Sequence, residues 1–294
     1  MKYAWIKENR DSFPVSIMCR VLQVSTSGFY KSLRATPSRR AQRTEAIKAS
    51  VRAVYDQSNG IYGSYKIADR LKADGQLESA CRNTVARAMR EMGLKSRVCK
   101  KFRPATTVQD STHKPAANLL QQDFRATAPN QKWVADITYL PTQAGWVYLA
   151  VIIDLFSRKV VGWSMSDRLT TPLISEAMKR AIESRRPRPG ELIHHSDRGC
   201  QYTSEVFQEI LAGMGVECSM SRTGCCYDNA VAERFFWSLK HEWTKHETFR
   251  DIEEARWSVF QYIDAFYNSL RIHQTLDYQT PNQFEDQHAA GCAA

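Results

Sequence analysis

Apolar and polar positions change period along the chain. Before residue 95 the spacing is helical. FPVSIMCRVLQVSTSGFYKSL predicts a short helix over Ser16 to Leu22, a turn at Gln23 to Ser25 and a second helix from near Thr26, which is helix-turn-helix spacing. The basic helix SRRAQRTEAIKASVRAVYDQ follows, then a second pair: SYKIADRLKADG, ended by Gly75, and SACRNTVARAMREMG, ended by Gly93. From Lys95 to about Lys132, prolines at 104, 115 and 129 and the lack of periodicity predict an extended linker. Beyond it, KWVADITYL, WVYLAVIID and KVVGWSMSD predict three strands joined by short hairpin turns. Alternation then sets in. TPLISEAMKRAIESRR reads as helix, ELIHHSD as strand, TSEVFQEILAGMG as helix, VECSMS as strand and DNAVAERFFWSLKHEW as helix.

A three-stranded meander followed by alternating α and β elements resembles the ribonuclease H fold. The expected fold class is α/β, a ribonuclease H-like core preceded by an all-α helix-turn-helix region. Residues 1–94 form the helical region, 95–131 the linker and 132–245 the core, and 246–294 supply a C-terminal helix and tail that complete it.

With 43% hydrophobic and 24% charged residues, 294 residues can build one sizeable core plus one or two small domains. No run approaches the roughly 20 apolar residues that cross a bilayer. The N-terminal MKYAWIKENRDSF lacks the apolar stretch of a secretory signal, so the expected location is the cytoplasm, with no membrane partner. The eight cysteines are scattered and contain no C-x-x-C pair, and the adjacent His194 and His195 and adjacent Cys225 and Cys226 lack the spacing of tetrahedral zinc sites. Net charge is +10 but uneven: residues 1–120 hold 23 Lys and Arg against 9 Asp and Glu, and the remainder 18 against 22. A basic front ahead of a nearly neutral core fits a polyanion-binding module, although a solvated helical surface fits the charge alone equally well. In the last helix of that front, Arg82, Arg87 and Arg90 alternate with Val85, Ala88 and Met89. One face suits a core and the other phosphates, a pattern that small helical bundles also show.

Three acids change the picture. Asp136 lies mid-strand, where Val134, Ile137 and Tyr139 favour a central, buried position, and a charge there needs a reason. Asp197 ends the fourth strand, and in an open α/β sheet ligands gather at the carboxyl ends of strands. Glu233 follows in a helix with 35 residues between. Converging carboxylates suit Mg²⁺, which prefers a few carboxylate oxygens plus water and substrate phosphate, and two ions can flank an in-line displacement at phosphorus. Each acid alone also fits a structural role: Asp136 bonded to backbone, Asp197 capping a helix, Glu233 on a helix surface. Seven helical residues turn the chain by 700°, so Lys240 lies about 20° from Glu233 and two turns along, placed to hold a phosphate or simply solvated.

WVADITYL, VYLAVIIDLFSRKVVGW, HHSDRGCQYTS, SMSRTGCCYDNAVAERFFWSLKHE and the ending YNSLRIHQTLDYQTPNQFE resemble the insertion-sequence-three family of transposases, with its retroviral-integrase-like catalytic core. So do NLLQQDF, GSYKIADRLK and RNTVARAMREMGL ahead of the core. The resemblance implies a DDE transposase that cleaves and joins DNA at the ends of its own element and in target DNA, using two Mg²⁺ ions with Mn²⁺ as a substitute. It assigns Asp136, Asp197 and Glu233 as catalytic, metal-binding acids and Lys240 as a contact to element-end DNA. Arg198, beside Asp197, joins Arg82, Arg87 and Arg90 as further DNA-binding candidates. Cys200 and Cys225 stand where Ser and Asn are expected, which bears on fine DNA contacts and leaves the acids intact. The chain resembles the downstream reading-frame product, whose active form is fused to an upstream product with a helix-turn-helix and leucine zipper, and a homo-oligomer on DNA is implied. No heptad repeat of that kind is present in this chain. A metal-dependent nuclease, a phage or retroelement-type integrase and a regulator with a structural core are the rival readings. Intact acids disfavour the regulator, the basic front disfavours the plain nuclease, and a retroviral-type integrase should begin with a spaced His/His/Cys/Cys module.

Overall fold

A computed structural model describes residues 2–34, 38–75, 81–97, 116–222 and 226–293. Three short helices come first: α1 (Lys2–Glu8), α2 (Val15–Val21) and α3 (Thr26–Arg34). Their facing apolar positions Ile6, Met18, Cys19 and Phe29 close a small core of their own. The turn between α2 and α3 places Gln23 at φ 52°, within the span where a turn is expected.

Helices α4 (Arg39–Gln57), α5 (Ser64–Ala73) and α6 (Arg82–Glu91) pack against one another through Val51, Val54, Ile67, Leu71, Val85 and Met89. Ser38 caps α4 by accepting from the Ala41 N–H, and Gly75 and Gly93 follow α5 and α6 at positive φ, the conformation that favours glycine after a helix. This group belongs to the same apolar cluster as one face of the sheet. Tyr62, ahead of α5, donates its hydroxyl to the Leu270 carbonyl (3.0 Å) and accepts from the Ile272 N–H (2.9 Å), 208 and 210 residues away.

The sheet has the order β3-β2-β1-β4-β5, built from β1 (Lys132–Thr142), β2 (Gly145–Asp154), β3 (Val160–Ser166), β4 (Ile193–Ser196) and β5 (Glu217–Met220). The first three strands pair antiparallel; β1–β4 and β4–β5 pair parallel. Helices α7 (Thr171–Arg185), α8 (Cys200–Thr203) and α9 (Glu205–Gly213) serve as the crossovers. Meander-then-alternation therefore holds, with the helix expected over TSEVFQEILAGMG divided at Ser204, which starts α9 by accepting from the Phe207 N–H. Gly162 in β3 lets α7 press close, because a Cβ there would collide with the Ala177 carbonyl.

Side chains alternate across a strand, so each residue of β1 falls to one of two cores. Trp133 and Ala135 join the cluster under α7 and α9, whereas Val134 and Leu140 join the cluster under α10 (Ala230–Ser238), whose Ala232, Phe235 and Phe236 are buried there. Asp136 shares the parity of Val134 and Leu140, on the face that α10 covers. Full burial of each such large side chain stabilises by about 1.5–3 kcal/mol.

Two expectations are revised. Residues 116–131, expected in the linker, run along the core: the Leu119 N–H donates to Ser219 Oγ (2.9 Å), the Met220 N–H donates to the Ala117 carbonyl (3.2 Å) and Leu120 is buried. Pro104 and Pro115 lie outside the described residues. The single helix expected over DNAVAERFFWSLKHEW is composite: a 3₁₀ turn over Cys226–Asn229, then α10, a π segment Leu239–Trp243 and a 3₁₀ turn Thr244–His246. The chain ends with α11 (Ile252–Phe260), a π continuation Gln261–Tyr267 and α12 (Pro281–Ala293). Glu285 of α12 accepts two 2.8 Å bonds from Arg185, clamping α12 onto the end of α7. Among the described residues no helix is long and apolar enough to cross a membrane.

Candidate active site

Asp136 sits mid-way along the central strand, opposite Val151 of β2, with Oδ1 accepting from the Ile137 N–H (2.8 Å). Asp197 follows β4 directly and its Oδ1 accepts from the Gly199 N–H (3.0 Å), which fixes the turn into α8. Glu233 projects from the first turn of α10 and is exposed. The start of α10 is tied to β1 by buried Asn229, whose Nδ2 donates to the carbonyl of Ala135, the residue before Asp136 (3.1 Å). That bond sets the glutamate helix against the aspartate strand.

Electrostatics join the three acids. Burial pushes Asp136 well above the ordinary carboxylate value, the Asp197 and Glu233 charges push it further, and Lys240 pulls it back. Desolvation also raises Asp197 and Glu233. Lys240, lowered by burial and raised by Asp136, holds its ammonium 4.6 Å from the centre of the Tyr139 ring. Lys240 thus lies over a β1 ring and within electrostatic reach of Asp136, and the π segment begins one residue before it. Tyr202, buried and with no hydrogen-bond partner for its hydroxyl among the described residues, also feels the Asp136 and Asp197 charges.

A divalent cation fits this chemistry. The donors are hard carboxylate oxygens, they repel one another, and a bound cation removes that repulsion. Among the described residues no three His, Cys, Asp or Glu side chains form a ready-made ligand cage. An ion held by these acids therefore completes its shell with water or substrate oxygens, the habit of Mg²⁺.

The other sequence candidates lie elsewhere. Arg198 Nε donates to the Ser221 carbonyl (2.7 Å), bracing the loop after β4 against the end of β5. Arg82, Arg87 and Arg90 are exposed on α6, and the Arg82 guanidinium lies 3.5 Å from the Tyr65 ring centre. Cys200 is exposed at the start of α8, and Cys225 lies outside the described residues. Asp228, which sequence reasoning passed over, is fully buried and accepts from Asn118 (2.9 Å), Gln122 (2.8 Å) and the Arg222 N–H (2.9 Å), lashing the 116–122 strap to the loop before α10. The Asp228-Asn229 pair ahead of an apolar helix signals a turn there, though not the distant groups that either side chain holds.

Comparison with known proteins places this geometry. An integrase core domain family model matches residues 126–226, a second integrase core domain model matches 214–281, and an HTH-like domain model matches 42–102. The transposase InsF for insertion sequence IS3A of Escherichia coli strain K12 is 42% identical over 99% of this chain and 100% of its own. The chain belongs to the insertion-sequence-three family of transposases. A second relative, the insertion element IS600 31 kDa protein of Shigella sonnei, is 40% identical to the transposase over 92% of this chain and 98% of its own. The HTLV-2 integrase catalytic core domain in complex with magnesium is similar in structure over 55% of the transposase and 99% of that chain, at 20% identity and TM-score 0.43. The transposase is a DDE polynucleotidyl transferase with a ribonuclease H-like core and an HTH-like DNA-binding domain.

Proposed function

We propose that Asp136, Asp197 and Glu233 are the DDE acids with which this transposase cleaves and joins DNA at the ends of its insertion sequence. One observation carries the reading: the Asp136 carboxyl is driven up by burial and by Asp197 and Glu233 together, with Lys240 as the opposing cation. In this reading the three acids hold two Mg²⁺ ions, with Mn²⁺ as a substitute. Metal held there supplies Lewis-acid activation of the attacking oxygen and neutralises charge at the scissile phosphate.

The chain's own residues do the positioning. Backbone N–H groups of Ile137 and Gly199 fix the two aspartates. Asn229 holds Glu233's helix at their strand. Lys240 offers its ammonium to a phosphate oxygen beside Asp136. Water first hydrolyses the phosphodiester at an element end, freeing a 3′-hydroxyl; that hydroxyl then attacks a second phosphodiester at the same acids, forming a new P–O bond as the attacked strand's 3′-oxygen leaves and takes up a proton, with no covalent enzyme intermediate.

Residues 1–94 supply DNA binding, with Arg82, Arg87 and Arg90 toward phosphates and Arg198 near the acids, and residues 132–245 with 246–294 supply catalysis. Assembly of copies on paired ends and fusion to an upstream-frame product complete the reading, as does work on cytoplasmic DNA. Incubating the full chain with labelled element ends and Mg²⁺ tests it: a nick leaving a 3′-hydroxyl at the element boundary is expected, and cutting without regard to the end sequence would favour a plain nuclease.

A further inference from the structure

Beside Glu233, three side chains stack along the composite helix. The Arg234 guanidinium lies 4.3 Å from the Trp237 ring centre. Trp237 in turn stacks on His241, with centroids 4.5 Å apart and planes 18° from parallel. His241 is buried and its Nδ1 bonds the Trp237 carbonyl (2.9 Å), so the inner end of the pile is fixed, while Arg234 at the outer end is exposed.

The pile borders the acids. Trp237 lies one turn beyond Glu233, at i+4 in α10, and Arg234 flanks it as Glu233's immediate neighbour. No acidic partner holds Arg234 among the described residues; the indole alone restrains it, which leaves its charge, its donors and its outer surface available. Lys66 of α5 stands within Coulombic reach. Burial brings the Lys66 ammonium down to about 7, with the charges of Arg271 and Arg234 pushing the same way and that of Glu242 opposing them.

We infer that Arg234, backed by Trp237 and His241, is a binding site for an unpaired nucleobase of the DNA strand adjoining the scissile phosphate. The inference rests on Glu233 lying at that phosphate. A phosphate contact needs only a cation, and a lysine serves. An arginine held on an aromatic pile offers a planar head on which a base stacks, and sequence-tolerant stacking of this kind is how single-stranded nucleic acid is held. A paired base presents no face to a side chain, so the base concerned must leave the duplex. The cost of unstacking is least where the base is already mispaired.

Affinity measured with the full chain in EDTA, where no cleavage occurs, tests this with element ends that are fully paired, mispaired or abasic at single positions flanking the scissile phosphate. The parent protein should bind the end mispaired at one such position roughly tenfold more tightly than the paired end, the size of one stacking contact, and lose that gain with the abasic end. Arg234→Lys keeps the charge and should bind paired ends like the parent without the mispair gain; Arg234→Ala should lose the gain and weaken paired ends as well. A gain that survives Arg234→Lys, or no mispair gain at any position, overturns the base site and leaves a phosphate contact only. Binding is read without metal, so failure of the acids to cleave overturns the proposed function and leaves this result standing.

Discussion

Arg271 grips Glu242 with two hydrogen bonds, 2.7 Å from Nε and 2.6 Å from Nη2, and both side chains are buried, at 8% and 4% exposure. Although burial alone raises Glu242, the Arg271 bonds and charge hold it below the ordinary value. Glu242 lies two residues beyond Lys240, and Arg271 lies between the two backbone groups that Tyr62 clasps. The pair thus joins the glutamate helix to the C-terminal segment on which the DNA-binding helices dock.

Removing one member leaves a buried charge alone, at a cost of about 3–5 kcal/mol. Arg271→Met should therefore lower the melting temperature by roughly 10 °C, and the double change Arg271→Met with Glu242→Leu should recover much of the loss. Calorimetry of Arg271→Met, Glu242→Leu and the double variant checks this. A double variant as unstable as the two single losses added together would contradict the pairing.

Protonation offers a second test. His194, in β4, is buried among Tyr202 and Phe207 with neither ring nitrogen partnered among the described residues, and burial lowers it to about 3. His195 is lowered by burial to about 4. In the unfolded chain both titrate near 6.5. Depressed folded values mean that stability is fully present above 6.5 and falls as pH drops from there through about 4 and about 3, by up to about 1.4 kcal/mol per pH unit for each histidine. His194→Phe should remove one share of that slope. Urea midpoints between pH 7 and 4.5 read it directly, and an unchanged slope would show that His194 does not titrate as its burial requires.

Lys240, poised between the Tyr139 ring and Asp136, should matter for capturing ends. Lys240→Ala is expected to weaken binding of matched ends by roughly tenfold while flattening the salt dependence by about one phosphate contact. Band shifts with matched and scrambled ends over a salt series check it. Parent-like binding across that series would make Lys240 a solvated residue.

Much of this was legible because local chemistry wrote it. The period-2 pattern of KWVADITYL placed Asp136 in a buried strand, and the switch to helix-strand alternation gave the crossovers. What was not legible depends on partners far away in sequence. Nothing local marks Tyr62 for the Leu270–Ile272 backbone, Asp228 for Asn118 and Gln122, or Asn229 for the Ala135 carbonyl. Nor does an apolar helical pattern reveal that hydrogen bonding widens at Leu239, since α and π turns bury nearly the same residues over so short a span.

The central claim is that Asp136, Asp197 and Glu233 act as one site. The most direct measurement compares Asp136→Asn, Asp197→Asn and Glu233→Gln with the parent chain for nicking and joining of labelled element ends in Mg²⁺, with end binding measured alongside. Each change should abolish both reactions, by at least about a thousandfold, while end binding stays near the parent's. Because the ionised Asp136 carboxyl is disfavoured by burial and by its acidic neighbours, Asp136→Asn should also melt no lower than the parent in EDTA at pH 7. Near-parental cleavage by any one of the three variants would contradict the account.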